Sequence, residues 1–408
     1  MSAHRDLARA LSAAVLTVAL AGPTLAMAPA ALVTAPVTPA GPLRAAPSPT
    51  ITARGTAVPT PQPPGTPQGT PVLTATSVVR TTGSLPPGAW HIQRHDSTPG
   101  GNSWSSVTCT STRTCYVVGL FTTLSTTNGG RNWRPLPAAG SGNSIACPST
   151  RTCYIVGGTD SSAGIKVTTD GGVTWHIEHN PFGDEYGEDL NAIACPSVRT
   201  CYAVGGHTGR SDGDRDGLIL VTADGGATWR VSWRQQAPSG GVNELTSVAC
   251  SGLQTCYAAG VAGLMVSSDG GKTWRGQQIG WSGGTDSVAC PGVTTCYALG
   301  DGFAVTTNGG RTWLRRQGSV TSMTGRKDEY LYPFVLACPS VTICYAVGTE
   351  GLIIATADDG ITWRRQPTPL QQGNSNPDPV GQDLSGVMCP SITTCYAVGE
   401  NDLILARS

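Results

Sequence analysis

The sequence predicts an all-β fold, a seven-bladed β-propeller, and three observations carry that prediction. Fourteen cysteines fall into seven pairs, each with five residues between its partners. Six short turns combine Asp or Asn with Gly and end in Trp. Gly and Pro make up about a fifth of the 408 residues and charged residues only 13%, which is typical of turn-rich β structure rather than of helices.

Each cysteine pair is expected to close the turn of a β-hairpin. Facing residues of an antiparallel hairpin are close enough for a disulfide, and evenly paired cysteines in a secreted chain are expected to oxidise. Zinc is the alternative, although zinc hairpins usually space their cysteines more closely and need four ligands per site. The expected disulfides, one in each blade, are Cys109–Cys115, Cys147–Cys153, Cys195–Cys201, Cys250–Cys256, Cys290–Cys296, Cys338–Cys344 and Cys389–Cys395.

A second hairpin turn, here called the glycine turn, is expected to follow the third strand of a blade. The Asp or Asn side chain accepts backbone N–H groups in such turns, and Gly adopts positive φ without strain. The Trp that ends the turn supplies a large side chain to bury. We therefore expect these Asp and Asn residues to be structural rather than catalytic: Asn128, Asp170, Asp224, Asp269, Asn308 and Asp358.

The count of strands predicts that the two ends of the chain close the ring. Successive cysteine pairs lie 38 to 55 residues apart, enough for one four-stranded blade. The last unit stops one strand short at residues 403–406, whereas residues 90–92 match 175–177 but belong to no complete unit. The segment after Pro87 is therefore expected to form the outer strand of the last blade, which would remove the exposed edges of an open array.

The chain is expected to have three parts. Residues 1–30 are typical of a secretory signal, since Arg5 and Arg9 precede an apolar run and small-residue cleavage candidates. A retained membrane anchor is the alternative, although the run is shorter than the ~20 residues of a spanning helix. Residues 31–86, rich in Pro, Thr and Ala, are expected to be a disordered linker, and residues 87–408 form the propeller.

The Thr-x-Asp-Gly-Gly-x-Thr-Trp turns resemble the Asp-box, the bacterial neuraminidase repeat. The whole unit is similar to the propeller family that includes the photosystem II assembly and stability factor. Asp-box propellers include sialidases, xyloglucan-degrading hydrolases, sorting receptors and assembly factors, so the resemblance implies a fold and leaves the function open. A cysteine pair in every blade and a Pro/Thr-rich spacer distinguish this chain from the photosynthetic members.

Loop lengths indicate where a ligand would bind. The cysteine turn and the glycine turn keep a constant length and are expected to share a face, whereas all length variation falls in the other two connections. Variable loops on a rigid scaffold usually carry binding, and solvated insertions without a function are the alternative. The candidate binding residues are Asp184, Glu185, Tyr186, Glu188, Asp189, Arg326, Lys327, Asp328 and Tyr330.

A weak calcium loop is the candidate metal site, and no other cofactor is expected. Asp212, Asp214 and Asp216 alternate as in the first half of such a loop. The second half is absent, because Leu220 and Ala223 hold the ninth and twelfth positions. A solvated acidic loop is the alternative.

The sequence favours a secreted, extracellular or cell-wall-associated binding protein without enzymatic activity. The net charge is zero and no basic stripe is visible, which argues against nucleic acid as a partner. A glycan-active hydrolase or sialidase-like glycan-binding propeller is the alternative, and an assembly role like that of the photosystem factor is the third. The expected partner is a protein or a glycan, and the expected state is a monomer with no membrane span after signal cleavage.

Overall fold

Seven four-stranded antiparallel sheets make up the computed structural model, as the sequence predicts. The structure describes residues 84–95, 101–157, 164–178, 181, 188–207, 215–237, 241–281, 283–316, 332–371 and 382–408. Short 3₁₀ turns lie at Pro137–Ala139, Thr349–Gly351 and Pro369–Gln371. Within these ranges no helix has the length and apolar character needed to cross a bilayer.

The strands are numbered in chain order, and each blade runs from its inner to its outer strand. Blade 1 is β2 (Trp104–Cys109), β3 (Cys115–Gly119), β4 (Thr123–Thr126) and β5 (Arg134–Pro135). Blade 2 is β6 (Ser144–Ala146), β7 (Cys153–Val156), β8 (Ile165–Thr168) and β9 (His176–Glu178). Blade 3 is β10 (Glu188–Ala194), β11 (Cys201–His207), β12 (Asp216–Thr222) and β13 (Arg230–Gln235).

The remaining blades repeat this order. Blade 4 is β14 (Leu245–Cys250), β15 (Cys256–Gly260), β16 (Gly263–Ser267) and β17 (Arg275–Gln277). Blade 5 is β18 (Thr285–Ala289), β19 (Cys296–Gly300), β20 (Phe303–Thr306) and β21 (Leu314–Arg316). Blade 6 is β22 (Pro333–Ala337), β23 (Cys344–Gly348), β24 (Ile353–Thr356) and β25 (Arg364–Arg365). Blade 7 is β26 (Leu384–Met388), β27 (Cys395–Gly399), β28 (Ile404–Arg407) and β1 (Trp90–Arg94).

The ring closes through the two ends of the chain, which confirms the prediction made from the unpaired Trp segment. Strand β1 pairs with β28 at the outer edge of blade 7, with Trp90 opposite Arg407. Each inner strand contacts the inner strand of the next blade, and β26 contacts β2, so these contacts form a complete circle. Leu85 also packs against the core of blades 6 and 7, ahead of the first strand.

All seven predicted disulfides are present, and no cysteine is free. Each joins the end of an inner strand to the start of the second strand, as where Cys250 lies opposite Cys256. The second strands are buried along their length, as their apolar pattern on both faces predicts. In the chain-entropy model each small loop contributes about 2 kcal/mol to the free energy of unfolding.

The glycine turns have the hydrogen bonds that the sequence predicts. In blade 2 the Asp170 carboxylate accepts the hydroxyl and the N–H of Thr174 at 2.6 and 2.9 Å. The hydroxyl of Thr168, the last residue of β8, accepts the N–H of Gly172 at 2.9 Å. Hydrogen bonds, with that of the Thr174 hydroxyl the strongest, hold the pKa of Asp170 well below its usual range.

The glycine turn and the cysteine turn of a blade contact each other, so they lie on one face, here called the fixed-turn face. In blade 2 the Gly171 N–H donates to the Arg151 carbonyl at 2.8 Å. The equivalent bonds of the other blades join Gly129 to Arg113, Gly225 to Arg199, Gly270 to Gln254, Gly309 to Thr294 and Asp359 to Thr342. The opposite face holds the hairpins between second and third strands and the connections that lead into the inner strands, and is here called the variable face.

An aromatic contact joins neighbouring blades. In five of the seams a Trp packs edge-to-face on the Tyr that follows the second Cys of the preceding blade, with ring centroids 5.7–6.3 Å apart. Four of these Trp residues end a glycine turn, and Trp90 begins β1. These pairs are Trp90–Tyr345, Trp133–Tyr396, Trp229–Tyr154, Trp274–Tyr202 and Trp313–Tyr257. Such pairs contribute about 0.5–1.5 kcal/mol beyond their buried area.

The second glycine of the turn lies against the same Tyr, and in three blades it cannot carry a side chain. A Cβ atom on Gly271, which has φ of 76°, would lie only 2.5 Å from the Tyr202 ring. The turn of blade 6 has glycine at only one of the two positions. Asp359 occupies the first position with φ of 60°, and Gly360 occupies the second. Sterics therefore require glycine at the second position in blades 3 to 5, where a Cβ would lie 2.5–3.0 Å from the Tyr, whereas the first position accepts a residue that tolerates positive φ.

Blade 7 has no glycine turn, because its third and fourth strands come from opposite ends of the chain. Arg407 lies opposite Cys395, at the position where the other blades have the Thr or Ser that anchors the turn. Its guanidinium donates to the Thr393 carbonyl at 3.5 Å and to the Pro86 carbonyl, and it lies 5.6 Å from the Tyr345 ring centroid. In the other blades, the carbonyl at the position of Thr393 accepts an N–H of the glycine turn. In blade 7 it accepts the Arg407 guanidinium, so this side chain replaces the missing turn.

Arg407→Ala is expected to lower the free energy of unfolding by about 2–3 kcal/mol, because it leaves two partly buried carbonyls without a charged donor. Guanidinium denaturation with the disulfides intact measures the change. Arg364→Ala, which truncates an exposed arginine of β25, is the control and should change it by less than about 0.5 kcal/mol. Equal effects of the two substitutions would contradict a closing role for Arg407.

The seam tyrosines are expected to make the protein sensitive to alkaline pH. Burial raises the pKa of Tyr257 to about 12 and moves the pKa of Tyr202 in the same direction. The folded state thus favours the neutral phenol, so this stability is fully present below pH 10 and is lost as pH rises towards 12. Melting temperature and phenolate absorbance should change together in that window, and complete titration of the folded protein near pH 10 would show the pKa values to be unshifted.

Candidate functional site

The variable face contains the one predicted binding residue whose side chain the structure describes, Asp189. Glu188 begins β10 on the same face, and its side chain is outside the described part. The other predicted residues lie outside the described residues and stay predictions: Asp184, Glu185, Tyr186, Arg326, Lys327, Asp328 and Tyr330.

Asp189 belongs to a network of polar side chains that connects blades 2, 3 and 4. Arg215 Nη1, from the hairpin of blade 3, lies 3.3 Å from both Asp189 Oδ2 and Glu244 Oε2. The Asn143 amide donates to Asp189 Oδ1 at 3.4 Å, and the Asn191 amide donates to Glu244 Oε1 at 2.5 Å. The connections into three successive inner strands are thereby joined around one guanidinium.

A bulge in β10 places Asn191 in this network. The register of β10 with β11 shifts between Leu190 and Ala192, so Asn191 is left out of the strand ladder. Its amide also donates to the Leu245 carbonyl of the next blade at 2.9 Å. The bulge thus turns a strand residue into a contact between blades, and it recurs four residues before the first cysteine in six of the blades.

The variable face carries more described acids than bases on its hairpins and inner-strand connections. Burial, and to a smaller extent the charge of Asp383, raise the pKa of Glu400. An acidic surface is complementary to a cationic ligand. The acids are Asp189, Glu244, Asp301, Glu350, Asp383, Glu400 and Asp402, and the base on these segments is Arg215. Arg315 and Arg94 reach this face from outer strands, and Arg94 pairs with Asp402 at 3.1 Å.

Asp216, the third residue of the candidate calcium loop, is buried in an ion pair. Its Oδ2 accepts a hydrogen bond from Arg234 Nη2 at 2.9 Å, and its Oδ1 accepts the Ala237 N–H at 2.9 Å. Asp212 and Asp214 lie outside the described residues, so the calcium loop stays a prediction. In the described part of the chain, no three His, Cys, Asp or Glu side chains are grouped as metal ligands would be.

A shallow pocket of about 580 Å³ lies on the variable face where blades 4 and 5 meet. Its lining comprises Gln278, Gly280, Trp281, Asp301 and Arg315. The Arg315 guanidinium lies 6.0 Å from the Trp281 ring centroid and donates to the Gly280 carbonyl at 3.2 Å. An indole beside charged and amide groups can both stack on a ligand and bind its hydroxyl groups.

Sequence analysis missed this pocket. Its sequence signal is weak, because Trp281 ends no glycine turn but also packs against the core between blades 4 and 5. Asp301 and Arg315 lie close together because β19, β20 and β21 pair antiparallel. This proximity exists only in the folded blade, so the sequence does not show it.

Comparison with solved structures shows the propeller fold. YCF48 bound to D1 peptide is similar over 80% of this chain and 99% of that chain, with a TM-score of 0.55 and 17% identity. YCF48 from Cyanidioschyzon merolae is similar over 78% of this chain and 98% of that chain, with a TM-score of 0.56 and 15% identity. Identities this low show the fold alone.

A GH74 xyloglucanase from Xanthomonas campestris has a TM-score of 0.54 and 13% identity over 78% of this chain. The match covers 53% of the xyloglucanase, so this chain spans about half of that enzyme. No family model matches the chain, and the comparison with curated proteins finds no match.

Asp216→Ala is expected to lower the free energy of unfolding by about 2–3 kcal/mol, because it removes the partner of Arg234 and of a buried N–H. Asp189→Ala is the control, since its ion pair with Arg215 is half exposed and should contribute less than about 1 kcal/mol. Denaturation with and without calcium measures both changes. If calcium stabilises the native protein and the Asp216→Ala variant equally, Asp216 is not a calcium ligand.

Proposed function

We propose that this protein is a secreted or cell-wall-associated binding propeller that presents its variable face to a protein partner and catalyses no reaction. The acidic charge around the connections into the inner strands is the observation that carries the proposal. Seven disulfides indicate an oxidising environment, which supports secretion. The hydrogen bonds of the glycine turns support their assignment as Asp-box turns.

The proposed partner segment is a cationic peptide. The described acids of the variable face outnumber its bases, and the guanidinium of Arg215 is already paired with Asp189 and Glu244. Opposite charge raises the rate of encounter and disfavours anionic partners. A propeller of the same fold, YCF48, has been solved with a peptide bound, which supports peptide recognition by such a scaffold.

A glycan is the second candidate ligand, and the pocket at Trp281 is the observation that favours it. Its indole could stack on a sugar ring, while Gln278 and Asp301 offer groups for hydroxyls. The GH74 similarity supports the same candidate at the level of fold. An assembly role like that of the photosystem factor is a third candidate, supported by the YCF48 fold.

Fluorescence anisotropy with labelled oligolysine tests the proposal, with oligoglutamate as the opposite probe. The triple variant Glu350→Gln, Asp383→Asn and Glu400→Gln is expected to weaken oligolysine binding about tenfold at low salt, because three charges of the variable face are removed. Asp359→Asn, which removes an acid from the fixed-turn face, is the matched control and should leave binding unchanged.

Equal binding of both probes, or equal loss in the triple variant and the control, would contradict recognition of cations by the variable face. A glycan array and a reducing-sugar assay separate the alternative. Glycan binding abolished by Trp281→Ala would favour the glycan ligand, and hydrolysis abolished by Asp301→Asn would favour an enzyme.

A further inference from the structure

The tips of the cysteine turns place a series of aliphatic side chains on the fixed-turn face. The third residue of this turn is aliphatic in blades 3 to 7 and Thr in blades 1 and 2. The five aliphatic residues are 46–78% exposed. They are Val198, Leu253, Val293, Val341 and Ile392.

Folding of the turn does not require these aliphatic side chains. In blade 3 the Ser197 hydroxyl accepts the N–H groups of Arg199 and Thr200 at 3.2 and 3.0 Å, which fixes the turn on either side of Val198. The same hydrogen bonds form in blade 2, where the tip residue is Thr150. The turn therefore forms with either an aliphatic residue or Thr at its tip.

Basic side chains surround these tips. The fourth residue of the cysteine turn is Arg in blades 1 to 3, and the residue after the second glycine of the glycine turn is Arg or Lys in blades 1, 4 and 5. All six are exposed, and none forms an ion pair with a described residue. They are Arg113, Arg131, Arg151, Arg199, Lys272 and Arg311.

Five carboxylates of the glycine turns also lie on this face: Asp170, Asp224, Asp269, Asp358 and Asp359. The Asp170 carboxylate, for example, is surrounded by the hydrogen-bond donors of its own turn, Val173 N–H, Thr174 N–H and the Thr174 hydroxyl. Because both turns keep a constant length and contact each other in six blades, the tips lie at a common level. The chain also enters the propeller here, since Trp90 pairs with Arg407, beside the cysteine turn of blade 7.

We infer that the fixed-turn face docks on an anionic lipid bilayer, with the aliphatic tips in the headgroup layer and the bases against the lipid phosphates. Exposed aliphatic side chains with basic side chains on the same face are the chemistry of interfacial membrane binding, and the six bases outnumber the five glycine-turn carboxylates there. Tips separated by the width of a blade suit a planar bilayer, whereas a protein interface needs a contiguous, well-packed apolar centre. The variable face, on the opposite side, is left open to its own partner.

Co-sedimentation of the full chain with vesicles tests this inference. Phosphatidylcholine vesicles containing phosphatidylglycerol are expected to bind the protein at least about tenfold more tightly than pure phosphatidylcholine vesicles. The triple variant Leu253→Ser, Val293→Ser and Ile392→Ser should lose about tenfold in binding to the anionic vesicles, because it removes apolar tips. The segment before residue 84 is common to all variants, so differences between them report the face itself.

A charge variant and a matched control complete the experiment. Arg113→Gln, Arg151→Gln and Arg199→Gln together should lose at least about tenfold on anionic vesicles and little on neutral ones. The control replaces three exposed aliphatic residues of the outer strands, away from the tips, and should lose less than about twofold. Its substitutions are Ile177→Ser, Val231→Ser and Leu314→Ser.

Several results would overturn the inference, provided that the variants keep the native melting temperature. They are absence of vesicle binding, unchanged binding by the apolar-tip variant, or equal loss in the outer-strand control. A dimer that the apolar-tip variant dissociates would show that a second copy of the chain covers this face instead. Oligolysine binding at the variable face is measured separately, so failure of either proposal leaves the other standing.

Discussion

The packing of each Trp on the Tyr of the preceding blade is the contact on which the ring depends. The Tyr lies on the buried second strand, next to a disulfide, and the Trp lies at the end of the glycine turn. Both residues must arrive at the seam at the same height, so neither turn can gain or lose a residue without separating the rings. The constant length of the two turns is therefore a consequence of packing between blades.

Closure of the ring satisfies the same constraint with different chemistry. Trp90 packs on Tyr345 like the other seam residues, although no glycine turn connects it to β28. Arg407 supplies both lost contacts, because its guanidinium hydrogen-bonds the cysteine-turn carbonyl and lies against the Tyr345 ring. A long cationic side chain thus does what two glycines do elsewhere, and its almost complete burial reflects that position.

The repeated parts of this fold could be predicted from the sequence because their signals are local. A Cys pair five residues apart, an Asp-Gly-Gly turn and an unmatched Trp segment each lie within a few residues, and together they predict the disulfides, the blades and the closure. The network at Arg215 could not be predicted in this way. Its partner Glu244 is 29 residues away, and the two meet only because neighbouring blades bring their variable connections together.

The net charge of the chain is zero, although its two faces expose different sets of side chains. Packing at the seams holds the two turns at one level, so the residues they expose lie side by side across several blades, and here these include aliphatic and basic side chains beside the glycine-turn carboxylates. No seam restrains the other two connections, which vary in length and bring acids such as Asp189, Glu244 and Asp383 to the opposite face. In a propeller, two connections of every repeat lie on one face and the other two lie on the opposite face. The net charge of the whole chain therefore says little about what either face binds.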